Sequence, residues 1–329
     1  MARSVRIHAF GDASVLAIED VVVPDPGIGE IRLRVHAIGI NRTEVTLRSG
    51  RSPVKPALPT GLGFEAAGSI DAIGPGVTHI SVGDRVALVP AYGAAQYALY
   101  GELAVAPARS VVPVPEDIGF IQAAATWAAF GTAWGGLVAT GGLVAGQTVL
   151  VPAASSSVGL AAIQVANRLG ARPIALTRTS AKRDALLAHG ATAVIATSEE
   201  DVISAVQQLT GGRGADLAFD PVGGGTLPRL MKSTAPGGLV VLYGALSAEP
   251  TVLPPFDLFG RDLTLRGFAL TALTRNDARL AQLKEFVGSG LADGSLHPVI
   301  SQTFPFDRIA DAHRLMEAGS QVGKIVVAV

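Results

Sequence analysis

Hydrophobic and polar residues change their pattern about a third of the way along the chain. The first hundred residues alternate short apolar runs with glycine and proline, as in Glu30–Ile38, Gly68–Ile73 and Asp84–Pro90. Short runs separated by turn-forming residues are typical of antiparallel strands. The sequence therefore predicts a compact, mostly antiparallel β unit at the amino-terminal end.

After about Glu116 the apolar runs alternate with helical segments. Strands are predicted at Val149–Pro152, Pro173–Thr177, Ala193–Ala196, Leu217–Pro221, Leu239–Tyr243 and Leu263–Phe268. Helices are predicted between them at Val158–Leu169, Ser180–His189, Glu199–Leu209 and Thr226–Ser233. Strands that are apolar throughout and separated by helices indicate a parallel sheet covered on both faces.

Composition indicates a two-domain protein with a large core. The chain has 329 residues, of which 49% are hydrophobic and 16% are charged. Its net charge of −1 provides no electrostatic basis for binding nucleic acid. The first residues lack the apolar segment of a signal peptide, so we expect a soluble cytoplasmic protein.

One uncharged stretch is long enough for a membrane helix. It runs from Ile118 to Asn167, but glycine pairs, Pro152 and three consecutive serines interrupt it. We therefore expect a buried helix followed by a buried strand, and no membrane span.

The absence of cysteine excludes disulfides, iron–sulfur clusters and thiolate-bound zinc. The histidines have no ligand-like spacing; they are His8, His36, His79, His189, His297 and His313. The sequence accordingly predicts no metal site.

The segment Val149–Lys182 predicts a strand, a tight turn, an amphipathic helix and a second strand. Dinucleotide-binding units of this kind carry G-x-G-x-x-G in the turn, and here those positions are Ala154, Ser156 and Gly159. Backbone N–H groups at the helix start still face a pyrophosphate. An ordinary turn that binds no ligand is the alternative. The predicted cofactor contacts are Ser155, Ser156, Ser157, Val158 and Gly159.

The end of the second strand favours NADPH over NADH. NAD-binding units usually place an acidic residue there for the ribose 2′-hydroxyl, whereas NADP-binding units offer arginine to the 2′-phosphate. The segment Thr177–Arg183 has no acid and three cations. The predicted contacts are Thr177, Arg178, Thr179, Ser180 and Lys182. A solvated basic helix start is the alternative interpretation.

Motifs along nearly the whole chain resemble the medium-chain dehydrogenase/reductase superfamily, in its zinc-independent quinone reductase-like branch. They include AIGIN at Ala37–Asn41, GLGFEAAG at Gly61–Gly68, AASSSVGL at Ala153–Leu160, DPVGG at Asp220–Gly224 and GKIVV at Gly323–Val327. The resemblance implies an α/β protein with two domains. A GroES-like, β-rich catalytic domain would comprise residues 1–120 and 269–329. A Rossmann domain with a doubly wound parallel sheet would comprise residues 121–268.

The departures from the family pattern concern the metal and the substrate. Zinc-dependent relatives have a cysteine where this chain has Asn41 and a histidine where it has Phe64. A tyrosine often found in quinone reductase active sites is replaced by Thr46. The resemblance thus implies metal-free chemistry but leaves quinone specificity open.

The resemblance also implies roles for individual residues. Asn41 resembles an active-site asparagine, Thr132 a threonine near the nicotinamide, and Arg42 a pyrophosphate ligand. The hydroxyls of Thr46, Tyr92 and Tyr97 are unranked candidates for donating a proton or a hydrogen bond. Further implied cofactor contacts are Tyr243, Gly244, Phe268 and Lys324.

These features predict hydride transfer from NADPH to a quinone or an α,β-unsaturated carbonyl without zinc. Without a Lewis acid, an acceptor that is already electrophilic is favoured. An NADPH-binding redox sensor with little catalysis and an alcohol or aldehyde reductase are the alternatives. The family implies a homodimer, with pairing near the apolar strand Leu263–Phe268.

Overall fold

A computed structural model describes residues 1–93 and 95–329 of the chain. Its contacts divide the chain into two compact units. Unit 1 comprises Met1–Ala128, Leu273–Lys284 and Pro298–Val329, and unit 2 comprises Ala129–Ala272 and Glu285–His297. The sequence-based bounds differ from these units chiefly at Glu285–His297, which belongs with unit 2. Gln164 contributes to this placement, because its amide exchanges two hydrogen bonds with the backbone of His297.

Unit 1 is built mainly from antiparallel strands. In chain order they are β1 (Ala2–Ile7), β2 (Ala17–Val21), β3 (Glu30–Gly39), β4 (Thr60–Gly61), β5 (Ala66–Ile73), β6 (Arg85–Leu88), β7 (Leu103–Pro107) and β8 (Val111–Pro113). Near the carboxyl end of the chain, β15 (Ile300–Pro305) and β16 (Lys324–Ala328) join them.

These strands form two sheets within the described residues. The smaller sheet has the order β2-β1-β4, and the larger has the order β15-β16-β3-β5-β6-β8, with β7 also paired to β3. The pairs are antiparallel except for β15 with β16. Side chains that alternate inward along β3, including Ile31, Leu33 and Val35, contribute to the apolar core of the unit. The predicted antiparallel β unit is confirmed.

Unit 2 contains a parallel sheet. Its strands are β9 (Thr148–Val151), β10 (Arg172–Thr177), β11 (Ala193–Ala196), β12 (Ala215–Asp220), β13 (Thr234–Leu242) and β14 (Thr264–Gly267). Their order is β11-β10-β9-β12-β13-β14, and every pair is parallel. The strand order reverses direction between β9 and β12, and ligands bind at such a switch point outside the carboxyl ends of the strands. The predicted doubly wound sheet is confirmed.

The helices connect these strands. They are α1 (Arg42–Arg48), α2 (Phe120–Ala123), α3 (Trp127–Trp134), α4 (Ser157–Arg168), α5 (Arg183–Ala188), α6 (Val202–Leu209), α7 (Thr226–Ser233), α8 (Pro255–Gly260), α9 (Leu270–Thr274), α10 (Asp277–Ala292) and α11 (Ile309–Ala318). In the described part of the chain, no helix combines the length and apolarity needed to cross a membrane.

Two predicted helix starts are wrong. The segment Ser180–Lys182 forms a 3-10 turn, and α5 begins only at Arg183. The helix predicted from Glu199 begins at Val202, because Asp201 caps it by accepting a hydrogen bond from Ser204 N. The residues before each helix instead form turns at the carboxyl edge of the sheet.

Candidate functional site

Unit 1 contains a buried polar cluster of Asn41, Glu65 and Lys324. The Lys324 ammonium is 2.6 Å from Asn41 Oδ1 and 2.6 Å from Glu65 Oε2. Lys324 and Glu65 are both completely buried, while Asn41 is partly exposed. A buried charge is tolerated when it is paired and hydrogen-bonded, and both conditions are met here. The cluster brings together Asn41 and Lys324, which were predicted separately to contact substrate and cofactor.

Two further features accommodate the buried Glu65 carboxylate, a hydrogen bond and the space left by a glycine. Its Oε1 accepts a hydrogen bond of 2.8 Å from the backbone N–H of Ala128. Gly39 provides the space for the pair, because a Cβ there would lie 2.8 Å from Glu65 Oε2 and 2.9 Å from Lys324 Cε. The glycine of the AIGIN motif is thus required by the close approach of the charged pair.

Glu44 adds a second buried carboxyl beside Asn41. Its Oε2 accepts a hydrogen bond of 2.9 Å from Asn41 N at the start of α1. Burial raises the pKa of Glu44 to about 7, although the Lys324 charge opposes that rise. Glu44 therefore changes its protonation state near neutral pH.

The candidate hydroxyl donors already have acceptors in the protein. Thr46 donates to the carbonyl oxygen of Arg42 at 2.9 Å, one turn earlier in α1. Tyr92 donates to the carbonyl oxygen of Phe64 at 3.1 Å, and burial raises its pKa well above the usual value. Tyr97 donates to Glu30 at 2.8 Å. None of these three side chains is joined to Asn41 by a hydrogen bond.

Arg42 lies at the start of α1, where the family resemblance implied a phosphate contact. Its Nη2 donates to the carbonyl oxygen of Met316 at 2.7 Å, and burial lowers its pKa. The guanidinium is therefore anchored on α11. A role toward a pyrophosphate stays a prediction.

The turn after β9 is tightly packed and leads into the capped start of α4. Ser156 caps α4 by accepting a hydrogen bond of 3.1 Å from the Gly159 N–H. A Cβ on Gly159 would lie 2.6 Å from both the Cα and the carbonyl oxygen of Ala154, so a side chain is excluded there. Ala153 has a φ of +49°, a left-handed conformation that costs a non-glycine residue about 1–2 kcal/mol. Close packing against Ala154 therefore requires a glycine at position 159. The turn before it is strained at Ala153.

Serine and lysine side chains meet beside this turn. Lys182 Nζ donates to Ser155 Oγ at 3.1 Å, which joins the turn after β9 to the turn after β10. Burial lowers the pKa of Lys182, and the nearby Arg178 charge lowers it further. Arg178, Thr179 and Ser180 are exposed, whereas Thr177 is buried at the strand end. The structure thus brings two cations close to the serine turn, where an anion would stabilise both.

An acid from the neighbouring strand also reaches this region. Glu199 follows β11, and its Oε1 accepts a hydrogen bond of 3.0 Å from Ser180 N. The segment Thr177–Arg183, from which the cofactor preference was predicted, contains no acid. The local sequence therefore did not predict the presence of Glu199 here. The parallel pairing of β10 with β11 was the signal that could have placed it there.

The carboxyl ends of β12 and β13 carry a second group of polar side chains. Tyr243 stacks on Phe219 with ring centroids 4.0 Å apart, and its buried hydroxyl has no hydrogen-bond partner in the described residues. Asp220 accepts hydrogen bonds from Val222 N and Gly223 N, and burial raises its pKa. A buried hydroxyl without a partner is rare and calls for an explanation such as a bound ligand.

The remaining predicted cofactor contacts lie in unit 2. Gly244 follows Tyr243, and a Cβ there would lie 2.6 Å from the Pro221 carbonyl oxygen. Phe268 follows β14, and its N–H donates to Leu242 O at 2.9 Å. Val158 lies in the first turn of α4, and Thr132 is partly exposed in α3.

Residues 1–93 and 95–329 contain no group of three or more His, Cys, Asp or Glu side chains placed to bind a metal ion. Phe64 is nearly buried and packs edge-on against Tyr92, with ring centroids 6.0 Å apart. The position where zinc-dependent relatives have a histidine is thus part of the apolar core.

Comparison with known proteins shows that two family models match separate segments of the chain. Residues 27–116 match the alcohol dehydrogenase GroES-like domain. Residues 157–288 match the model described as zinc-binding dehydrogenase. The two matches follow the order in which the β-rich unit and the parallel sheet occur along the chain.

Whole-length relatives were also found. The quinone oxidoreductase of Pseudomonas aeruginosa is 33% identical over 333 residues, covering 99% of each chain. The crystal structure of Escherichia coli quinone oxidoreductase complexed with NADPH is 30% identical, with a TM-score of 0.93 and complete coverage of both chains. A solved NAD-dependent alcohol dehydrogenase is 34% identical, with a TM-score of 0.90 and 99% coverage of each chain.

Proposed function

Since the chain belongs to the quinone oxidoreductase-like branch of the medium-chain dehydrogenase/reductase superfamily, we propose that it reduces a quinone or an α,β-unsaturated carbonyl with NADPH and without a metal. The observation that carries the proposal is a basic, serine-rich site in unit 2. It consists of residues 155–157 after β9 and residues 178–182 after β10, and Lys182 donates to Ser155 across it. It supplies hydrogen-bond donors and positive charge at the switch point of a parallel sheet.

The residues of unit 2 fit a dinucleotide. Gly159 leaves no room for a side chain, the start of α4 offers backbone N–H groups, and Tyr243 has a buried hydroxyl without a partner. Residues 155–159 would hold the pyrophosphate, with Tyr243 and Gly244 beside the same strand ends. NADPH, when bound, supplies the hydride. The protein's contribution is to bind and orient the cofactor.

The basic side chains support a preference for the 2′-phosphate. Arg178 is exposed and close enough to Lys182 to lower its pKa, so a doubly charged phosphate would relieve their mutual repulsion. Glu199 is bound to Ser180 N in the structure and would favour a neutral ribose hydroxyl instead. Two cations against one carboxylate give a net positive charge, which supports NADPH.

Asn41 of unit 1 is proposed to hydrogen-bond the acceptor oxygen. It is the partly exposed member of an otherwise buried cluster, so its amide is the part of the cluster that an acceptor can reach. A hydrogen-bond donor aimed at developing negative charge lowers the barrier to reduction. Asn41 and Phe64 replace two zinc ligands of relatives, which supports metal-free chemistry.

The proton that completes the reduction is proposed to come from solvent. The hydroxyls of Thr46 and Tyr92 both donate to backbone carbonyls, so neither is positioned as a proton donor without rearrangement. Hydride transfer converts a quinone into a hydroquinone anion and an enone into an enolate, and either anion accepts a proton from water without a side-chain acid. The structure therefore supports no assignment of a catalytic acid among the predicted hydroxyls.

We further propose a homodimer formed through β14. This strand is at the edge of the parallel sheet and pairs only with β13 in the described residues. The segment before it exposes large apolar side chains, including Val252 at 64%, Phe256 at 78% and Phe259 at 66%. An exposed edge strand beside an apolar patch needs a covering partner, and a second copy supplies one.

A panel of acceptors tests the reaction. NADPH oxidation at 340 nm would be followed with 1,4-naphthoquinone, an alkyl enone and a simple aldehyde, with NADH in parallel and with a chelator added. We expect the conjugated acceptors to be reduced, NADPH to be preferred and the chelator to have no effect. Loss of activity with the chelator would contradict metal-free chemistry. NADPH binding without any turnover would favour a sensing role instead.

A reductase of simple aldehydes or alcohols is the second candidate. The similarity to an NAD-dependent alcohol dehydrogenase over 99% of the chain supports it. The same panel separates the two candidates, because this function requires turnover of the aldehyde alone.

A further inference from the structure

The side-chain amide of Asn41 has one end that accepts and one end that donates hydrogen bonds. Its Oδ1 lies 2.6 Å from Lys324 Nζ. An ammonium group can only donate, so the end of the amide that faces Lys324 must be the oxygen. The contact therefore fixes which end of the amide is available to another molecule.

Lys324 is itself held from the other side. Its ammonium is 2.6 Å from Glu65 Oε2, and both side chains are completely buried. Glu65 is fixed in turn by the N–H of Ala128 at 2.8 Å. A charge-assisted pair in a buried setting has little freedom to rotate. The ammonium is thus a fixed point against which Asn41 is oriented.

The donor end of the amide is only partly used. Asn41 Nδ2 donates to the carbonyl oxygen of Gly39 at 3.0 Å, and its other contact, with Glu44 Oε1, is long at 3.4 Å. An amide nitrogen carries two hydrogens, so the second N–H lacks a strong partner. Asn41 is partly exposed, so this weakly bonded N–H is the one for which an incoming acceptor would compete with Glu44.

We propose that Lys324 is a positioning residue, which orients Asn41 so that its Nδ2–H points to the acceptor rather than its oxygen. The inference rests on the proposed reduction of a carbonyl-bearing acceptor. It assigns Lys324 a role other than contact with the cofactor, since its side chain is completely buried and two of its three N–H groups are bonded to Asn41 and Glu65. Reversal of the amide would direct its oxygen at the acceptor oxygen and repel it.

A double-mutant cycle tests this role. Lys324→Met removes the ammonium but keeps an unbranched apolar chain. We expect kcat with the best quinone or enone to fall about 10- to 100-fold, as for a misplaced catalytic group, with the Kd of NADPH unchanged. In an Asn41→Ala background the same change should have no further effect on kcat, because the residue acts through Asn41. A raised Kd for NADPH, or equal kcat losses in both backgrounds, would overturn the proposal.

Two further variants separate positioning from folding. Lys324→Met leaves the Glu65 carboxylate buried without its cation, so Lys324→Met/Glu65→Gln removes both charges together. We expect the double variant to recover stability but not kcat. Lys284 is the matched control, because its ammonium donates to the carbonyl oxygens of Arg109 and Val111 elsewhere in unit 1. Lys284→Met should leave kcat unchanged, and a loss equal to that of the Lys324 variant would overturn the proposal.

The side-chain amide signals of Asn41 give a readout that does not require turnover. They would be identified in ¹⁵N-resolved NMR spectra by their absence in Asn41→Ala. We expect both proton shifts to move in Lys324→Met/Glu65→Gln and to stay in place in Lys284→Met. Unmoved shifts in the first variant would overturn the positioning role. A wild-type protein that reduces none of the acceptors but shows the expected shift would contradict the proposed reaction and support the orientation of Asn41 by Lys324.

Discussion

Gly39 lies against the side chain of Lys324 so closely that a Cβ on Gly39 would be 2.9 Å from Lys324 Cε. The same Cβ would lie only 2.1 Å from the carbonyl oxygen of Ala124, which is a backbone atom that cannot simply turn aside. The close packing around the buried cluster therefore requires glycine at position 39, two residues before Asn41. This relationship connects a short motif in β3 to a charge on β16.

We predict that Gly39→Ala destabilises unit 1. An extra methyl group in a filled core costs about 1–3 kcal/mol, and the backbone clash places this position at the upper end of that range. Denaturant unfolding measures the change. Gly119→Ala is the control, because a Cβ there meets no atom within 4 Å. Equal and small effects of the two substitutions would contradict the packing argument.

Arg178→Ala should weaken NADPH binding selectively. A charge-assisted hydrogen bond to a charged group contributes roughly 1.5–3 kcal/mol, so the Kd for NADPH should rise about tenfold or more. NADH lacks the 2′-phosphate, and its Kd should stay nearly constant. Arg172→Ala is the matched control, since it removes an exposed arginine from the opposite end of β10. Similar losses for NADPH and NADH would refute the phosphate contact.

Glu44 gives the stability of the protein a pH dependence of known sign. Burial raises its pKa from 4.5 to about 7 in the folded state, so the folded protein holds a proton that the unfolded chain has lost in this window. The contribution of Glu44 to stability is complete below about pH 4.5 and is lost as the pH rises through 7.

We therefore predict that the free energy of unfolding of the wild type decreases as the pH rises, and that Glu44→Gln removes the part of this decrease that Glu44 causes. Between those two pH values the wild-type free energy of unfolding should fall relative to that of the variant by up to about 1.4 kcal/mol per pH unit. Urea unfolding of both proteins across this window measures the difference. A constant difference would show that Glu44 does not titrate there.

The homodimer proposed through β14 depends on the apolar segment before that strand. Phe256→Asp/Phe259→Asp places two charges on exposed aromatic positions and should convert a dimer into a monomer. Light scattering measures the mass of the particle. Val82→Asp is the control, because Val82 is 62% exposed in unit 1. A wild-type monomer, or a dimer that survives the double variant, would contradict the proposed interface.

The elements of the parallel sheet were predictable where burial is uniform. Val149, Leu150 and Val151 are completely buried, and such apolar runs need no tertiary information to be identified as strands. The start of β13 was predicted too late. Its first residues include Pro236 and Gly237, which normally indicate a turn, but here they belong to a strand whose pairing with β12 has an irregular register.

The candidate site was less predictable because tertiary contacts create it. Asn41 and Lys324 are 283 positions apart, and neither neighbourhood indicates that the other is its partner. Glu65 lies in the GLGFEAAG motif, and nothing in that motif indicates that its carboxylate joins the same cluster. Glu199 reaches the basic turn only through the pairing of β10 with β11. Local motifs identified the residue types, whereas the fold determined their partners.

Transfer of deuterium from cofactor to product tests the central claim most directly. The enzyme would be incubated with NADPH deuterated at the transferred position, an alkyl enone and a chelator, and the product analysed by mass spectrometry. We predict one deuterium on the carbon β to the carbonyl, since the enone accepts the hydride there and takes its proton from water. Loss of NADPH without deuterium in the product, or no conversion of enone or quinone at all, would contradict the account.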